Sequence, residues 1–205
     1  MAPEIWWYIA RATGLVAWAL AVGSLLLGLA LATRAMGSTP KGPWLLDLHR
    51  WLGGLAVVFT VAHVGGLIAD SYVSFDLVDA LVPFAASWRP GAVAWGVLAL
   101  WVMVAIEVTS LLMRRLPKRV WRAVHLSSYL LAVAATLHGV TAGTDVGHPA
   151  VAWAILGSIA GATFFVVYRR VAPKKAARSI PARPAAKASA PPLEDAKRAE
   201  AALVE

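Results

Sequence analysis

Five long apolar runs, separated by short polar or basic connections, make up most of the chain: Ile5–Thr33, Leu48–Ala69, Ala92–Met113, Val120–Ala142 and Ala150–Val167. A helix needs about 20 mostly apolar residues to cross the hydrocarbon of a bilayer. The pattern therefore predicts an all-α, polytopic membrane bundle of five transmembrane helices. The first run starts beside Glu4, lacks a basic leader and is too long for the apolar stretch of a secretion signal, so it reads as a span. The connection 70–91 is itself partly apolar: Phe75, Leu77, Val78, Leu81, Val82 and Phe84 predict a short interfacial helix ended near Pro83. From about Ala172 the composition turns to Ala, Pro, Lys and Arg. Residues 1–171 are expected to form the membrane domain and residues 172–205 a disordered cytoplasmic tail.

The charges orient this bundle. Arg34, Lys41 and Arg50 flank the first connection, Arg114, Arg115, Lys118, Arg119 and Arg122 the third, and Arg169, Arg170, Lys174, Lys175 and Arg178 follow the last run. The opposite side carries Asp70, Asp76, Asp79, Asp145 and few cations, Arg89 and Arg11 among them. The positive-inside rule then predicts the N-terminus outside and the C-terminus in the cytoplasm, with the second and fourth spans parallel. Composition agrees: 60% hydrophobic and 15% charged residues stand against roughly 45–50% and about 25% in soluble domains. That excludes a soluble enzyme and a disordered chain, and makes the net charge of +8 a matter of topology rather than of nucleic-acid binding. The absence of cysteine excludes disulfides, thiolate zinc sites, iron–sulfur clusters and a Cys-anchored haem. No GxGxxG or P-loop pattern is present.

Four of the five histidines fall on two spans. His49 and His63 lie 14 residues apart on the second, His125 and His138 13 apart on the fourth. At ~1.5 Å per residue these separations are roughly 21 and 19.5 Å. On parallel helices His49 is level with His125 near the cytoplasmic side, and His63 with His138 near the outer side. An imidazole in lipid needs a partner. An iron held between two opposed rings supplies one, each ring keeping its other N–H for a nearby acceptor. With both axial positions filled such a haem transfers electrons and leaves no open site. The arrangement predicts two bis-histidine haems, with metal-ion transport or non-haem metal binding through the same histidines as the alternative, and a vestigial anchor as a third reading. Metal transport calls for carboxylates beside the pairs, and Glu107 is the one in reach. One feature resists a straight helix: at about 100° per residue, 14 residues return within ~40° of one face, whereas 13 end ~140° away. Either back-bonding by Ser127, Ser128 or Thr136 bends the fourth span, or the two haems approach it from different sides.

The segments around these histidines resemble the ferric reductase-like transmembrane domain. They are Leu48-His49-Arg50-Trp51-Leu52-Gly53, Ala62-His63-Val64, Trp121-Arg122-Ala123-Val124-His125-Leu126-Ser127-Ser128-Tyr129 and Leu137-His138-Gly139. The opening Trp7-Tyr8-Ile9-Ala10-Arg11-Ala12-Thr13-Gly14-Leu15, with Val82-Pro83-Phe84, Thr109-Ser110 and Gly143-Thr144-Asp145, is similar to bacterial members, and the likeness covers about residues 5–168. The group includes ferric reductases, the membrane cores of NADPH oxidases and the haem subunit serving a periplasmic methionine sulfoxide reductase. The resemblance implies two b-type haems, electron transfer across a bacterial plasma membrane, and an outer-side acceptor, either ferric iron or a partner redox protein. Larger members carry a flavin and nicotinamide module and often six spans. This sequence shows neither, so the expected donor is a separate flavoprotein reductase or a membrane quinol, and an enzymatic activity of the chain alone stays open.

Other polar residues have two readings each. Arg11 either pairs with a propionate of the outer haem or snorkels to the interface. Arg50 and Arg122 face inner propionates or lipid phosphates. Glu107 accepts from His125 or His49, or forms an ion pair with an Arg. His148 is a solvated loop residue or a docking group. Trp6, Trp7, Trp44, Trp88 and Trp121 read as an interfacial aromatic belt. Gly53, Gly54, Gly65, Gly66 and Gly139 are expected to make room beside the ligands or between helices.

Overall fold

The computed structural model describes residues 4–33, 42–71 and 74–171; the expected tail lies outside them. Among the described residues all regular structure is helical: α1 (Glu4–Thr33), α2 (Gly42–Ala69), α3 (Leu77–Leu81), α4 (Pro90–Leu111), α5 (Lys118–Leu126), α6 (Ser128–Ala142), a single 3₁₀ turn at Asp145–Gly147, and α7 (Pro149–Val171). Five segments are long and apolar enough to span: α1, α2, α4, the α5–α6 pair taken together, and α7. The second begins six residues earlier than its apolar run suggests, because Gly42, Pro43 and Trp44 already form its first turn, a position where proline costs no hydrogen bond.

α1 packs along α2, and α4 along α6. α1 also touches α6, α2 touches α4, and α7 lies on the flank of α1. The two histidine-bearing spans, α2 and α5–α6, thus face one another across the bundle, each backed by a helix without histidine. The interfaces are built from small residues: Ala10, Ala17, Ala30, Ala56 and Ala134 are all buried. In lipid, where apolar side chains gain nothing by leaving their surroundings, close backbone approach supplies the attraction. The large apolar side chains point outward, Trp153, Val58 and Phe164 among them.

The midplane is plugged by Ala56, Ala99, Met103, Ile106, Leu131 and Ala134. Ala56 is seven residues from both His49 and His63, and Leu131 is six from His125 and seven from His138, so the plug separates two levels by about 10 Å on either side. The loop between α2 and α4 folds back on α4 through Phe75 and Ala86 against Val93 and Val97. Its expected interfacial helix is the short α3, started by a capping box in which the Asp76 side chain accepts from the backbone of Val78 and Asp79 and Asp79 reciprocates.

The fourth span is broken. α5 stops at Leu126 and α6 restarts at Ser128; Ser127 takes φ −66° and ψ −3°, and both its N–H and its hydroxyl donate to the Val124 carbonyl. The interruption falls at one of the serines that the 13-residue spacing points to. Thr136 also back-bonds, to Ala132, inside a helix that continues.

Candidate functional site

The bundle brings the four histidines together as two pairs. The His63 and His138 rings lie 6.2 Å apart between centroids, at 77° to one another. The His49 and His125 rings lie 5.9 Å apart, at 71°. By the predicted orientation these are the outer and inner pairs.

Three of the four rings are anchored in one way. His63 Nδ1 sits 2.6 Å from the Ala10 carbonyl on α1, His138 Nδ1 2.9 Å from the Ala92 carbonyl on α4, and His49 Nδ1 2.9 Å from the Ser24 carbonyl on α1. A carbonyl only accepts, so Nδ1 carries the proton in each, and Nε2 is left with a lone pair. None of these three Nε2 atoms has a hydrogen-bond partner among the described residues.

Each anchor is followed four residues on by glycine: Ala10 by Gly14, Ser24 by Gly28, Ala92 by Gly96. A ring that reaches the carbonyl of residue i lies across residue i+4, one turn along the same face. A Cβ there would come within 2.7 Å of His63 at Gly14, 2.8 Å of His138 at Gly96 and 3.1 Å of His49 at Gly28. The glycines that matter are thus on the facing helices. Those beside the ligands behave otherwise. Gly66 gives α1 its close approach at Ala10, Gly53 faces the Glu107 carboxylate, and Gly54, Gly65 and Gly139 have open space.

His125 lacks this cradle. Its Nδ1 is buried with no partner among the described residues. The ring instead stacks on Trp121, centroids 5.0 Å apart and planes 23° apart. Glu107, at the same level on α4, makes neither of its two expected contacts among the described residues: it accepts no hydrogen bond from His49 or His125 and forms no ion pair.

A cavity of about 450 Å³ holds the outer pair, lined mainly by apolar groups such as Leu67, Val97 and Leu100, with Thr60, Thr136 and Asp70 as polar exceptions. That volume is in the range of cofactor sites, roughly 300–1,000 Å³. Arg11 and Asp145 also line it. The guanidinium grips the Asp145 carboxylate through Nε and a terminal nitrogen, and lies over Trp7 at 4.8 Å. This pairing ties α1 to the 3₁₀ turn, and the sequence reading missed it because the partners are 134 residues apart. The Arg11 guanidinium holds the Asp145 carboxyl below its ordinary range. Arg50 pairs with Asp47 on the exposed surface, and the His148 Nδ1 accepts from the Ala150 N–H in its loop.

Two metal–imidazole bonds of about 2 Å each, with half a ring behind each nitrogen, put ring centroids about 6 Å apart. Both pairs have that spacing. Among the described residues no group of three or more His, Asp or Glu could hold an ion by itself. Each pair therefore suits a metal that brings its own equatorial ligands, as a porphyrin does, and the residues present fit a haem.

The family model described as ferric reductase like transmembrane component matches residues 13–136. The match takes in His49, His63 and His125 with the cradles at Ser24–Gly28 and Ala92–Gly96, and stops two residues short of His138. No curated protein and no solved structure gives a match.

Proposed function

The chain belongs to the ferric reductase-like transmembrane component family, and on that premise we propose that it carries electrons across the plasma membrane of a bacterium through two b-type haems. One is held between His49 and His125, the other between His63 and His138. The observation that carries this reading is the pair of ring–ring separations, 5.9 and 6.2 Å, at two levels of one bundle. A haem bound there would be held by the two histidines of each pair and would supply one-electron redox chemistry.

The chain's own residues do the rest. The Ala10, Ser24 and Ala92 carbonyls fix the tautomer and hold the ring, leaving Nε2 its lone pair for a metal. The glycines four residues on let the rings lie flat against α1 and α4. The plug of Ala56, Met103, Leu131 and Ala134 keeps water and ions from the path between the levels. Arg11, which lines the cavity and pairs with Asp145, would hold a propionate of the outer haem. The basic end of the bundle faces the cytoplasm in this reading, and a membrane potential negative inside favours outward electron movement by ~2.3 kcal/mol per charge per 100 mV. The donor is a separate flavoprotein reductase or quinol, and the acceptor ferric iron or a redox protein on the outer side.

The test is a visible spectrum of the purified chain. Reduced protein should show low-spin b-type bands with about two haems per chain. His49→Ala or His125→Ala should remove one haem, and His63→Ala or His138→Ala the other. A colourless protein, or bands unchanged in all four variants, overturns the proposal.

A further inference from the structure

The inner pair is asymmetric in a way the outer pair is not. α1 carries two cradles, Ala10–Gly14 and Ser24–Gly28, at the same 14-residue spacing as His63 and His49 on the antiparallel α2. α4 carries one, Ala92–Gly96, for His138. A second would be due 13 or 14 residues further along α4, but Thr109 and Ser110 stand there, and α4 has no glycine after Gly96. Thr109 spends its hydroxyl on the Ala105 and Ile106 carbonyls of its own helix. His125 accordingly has neither a carbonyl for Nδ1 nor a glycine to lie on.

What it has is Trp121. The two residues stand four apart on α5, one above the other on a single face. Their rings lie nearly parallel, and the indole Nε1, like His125 Nδ1, is buried without a partner among the described residues. An indole used as an interfacial anchor turns its N–H toward water. Here the N–H is buried and the ring face covers the imidazole. α5 is a nine-residue helix whose N-cap, Pro117, makes no side-chain capping bond, and it ends at the Ser127 break. Little else in it restrains the direction of His125.

We infer that Trp121 is the positioning residue of the inner site: its indole face, in place of a carbonyl, sets the plane of the His125 ring. The inference rests on the bis-histidine haem reading. In a ferric bis-imidazole site the angle between the two ring planes governs the splitting of the iron d orbitals, and hence the largest g value. Loosening one ring moves or broadens that signal at one site alone.

The experiment is electron paramagnetic resonance of the oxidised full chain in lipid nanodiscs. His49→Ala and His63→Ala assign the two low-spin signals. Trp121→Phe, which keeps a stacking ring and removes the N–H, should leave both signals in place. Trp121→Leu, which keeps apolar bulk and removes the ring face, should shift, broaden or abolish the inner signal and leave the outer one unchanged. Trp153→Leu, on the exposed flank of α7, should change neither. An inner signal unmoved in Trp121→Leu overturns the inference, as does a phenylalanine variant that behaves like leucine, since that assigns the role to the N–H. If the leucine variant does not accumulate, Trp121→Met is read in the same way. Loss of the outer signal in every ring-free variant also overturns it, because Trp121 would then hold the bundle rather than the ring. Absence of any low-spin signal in the unaltered chain refutes the haem reading itself, whereas two signals indifferent to Trp121 refute only this inference.

Discussion

Replacing Gly14 by valine puts a branched side chain where the His63 ring lies, because even the first carbon would approach Nδ1 to 2.7 Å. The ring must swing away or α1 must move off α2, a strain of about 1–3 kcal/mol in a packed interior. At about 1.4 kcal/mol per tenfold change in affinity, the outer haem should be depleted while the inner one stays. Gly23→Ala is the control: nothing lies within 4 Å of its added carbon, and the helix should gain roughly 0.5–1 kcal/mol. Haem content per chain, read from the pyridine haemochrome, checks both. Equal haem in Gly14→Val and the unaltered chain would refute the cradle. The histidines were legible in the sequence because their spacing is a property of single helices. The cradles were not, because Ala10, Ser24 and Ala92 acquire meaning only when another helix packs across them. Asp145 belongs to the same scale. Its carboxyl, outside the spans, is held below the ordinary carboxylate value near 4 by Arg11. A depressed native value stabilises fully above the unfolded value, and the gain disappears as pH falls through the native one. Thermal stability in detergent should therefore fall as pH drops below the ordinary carboxylate value near 4, modestly because both side chains are partly exposed. Asp145→Asn should flatten that acid slope, and an identical slope in the variant would mean the pair contributes nothing.

Among the elements, the break at Ser127 decides whether one span can serve two haems. A continuous helix would leave His125 and His138 about 140° apart around the axis; the interruption lets α5 turn its own face toward His49. Inserting one alanine between Ser127 and Ser128 restores the 14-residue spacing in number but turns α5 by about 100° relative to α6. The inner haem should be lost and the outer one, fixed by α1, α2, α4 and α6, retained. A spectrum with both haems in the insertion variant would show that the break is a compliant joint rather than a set angle. The five spans were readable from apolar length alone. The break was readable only as a conflict between spacing and helix period, since serines that back-bond inside unbroken helices look the same in sequence, as Thr136 does here.

For the whole molecule, the distribution of charge is the feature that reaches beyond the bundle. Arg114, Arg115, Lys118, Arg119 and Arg122 are exposed around the start of α5, and Lys118, Arg119 and Arg122 line a groove with Ala123 and Leu126. His125 stands on the same short helix, seven residues after Lys118 and three after Arg122. Topology alone accounts for cations at this end, so their part in donor binding must be measured separately from their part in insertion. Dithionite, a small reductant, should reduce the purified protein, and NADH or NADPH alone should not. Reduction by an added acidic flavoprotein should slow as salt rises from tens of millimolar toward physiological strength, where the screening length is about 8 Å. Lys118→Glu with Arg119→Glu should lower the bimolecular rate at low salt and remove most of its salt dependence, leaving spectra and the dithionite rate unchanged, because rim charges act on encounter more than on the bound state. Fast reduction by NADPH with no flavoprotein added would reveal a nicotinamide site in the chain. Reduction by a membrane quinol at a rate indifferent to salt and to the two reversals would place electron entry within the bilayer, and the basic face would then serve orientation alone.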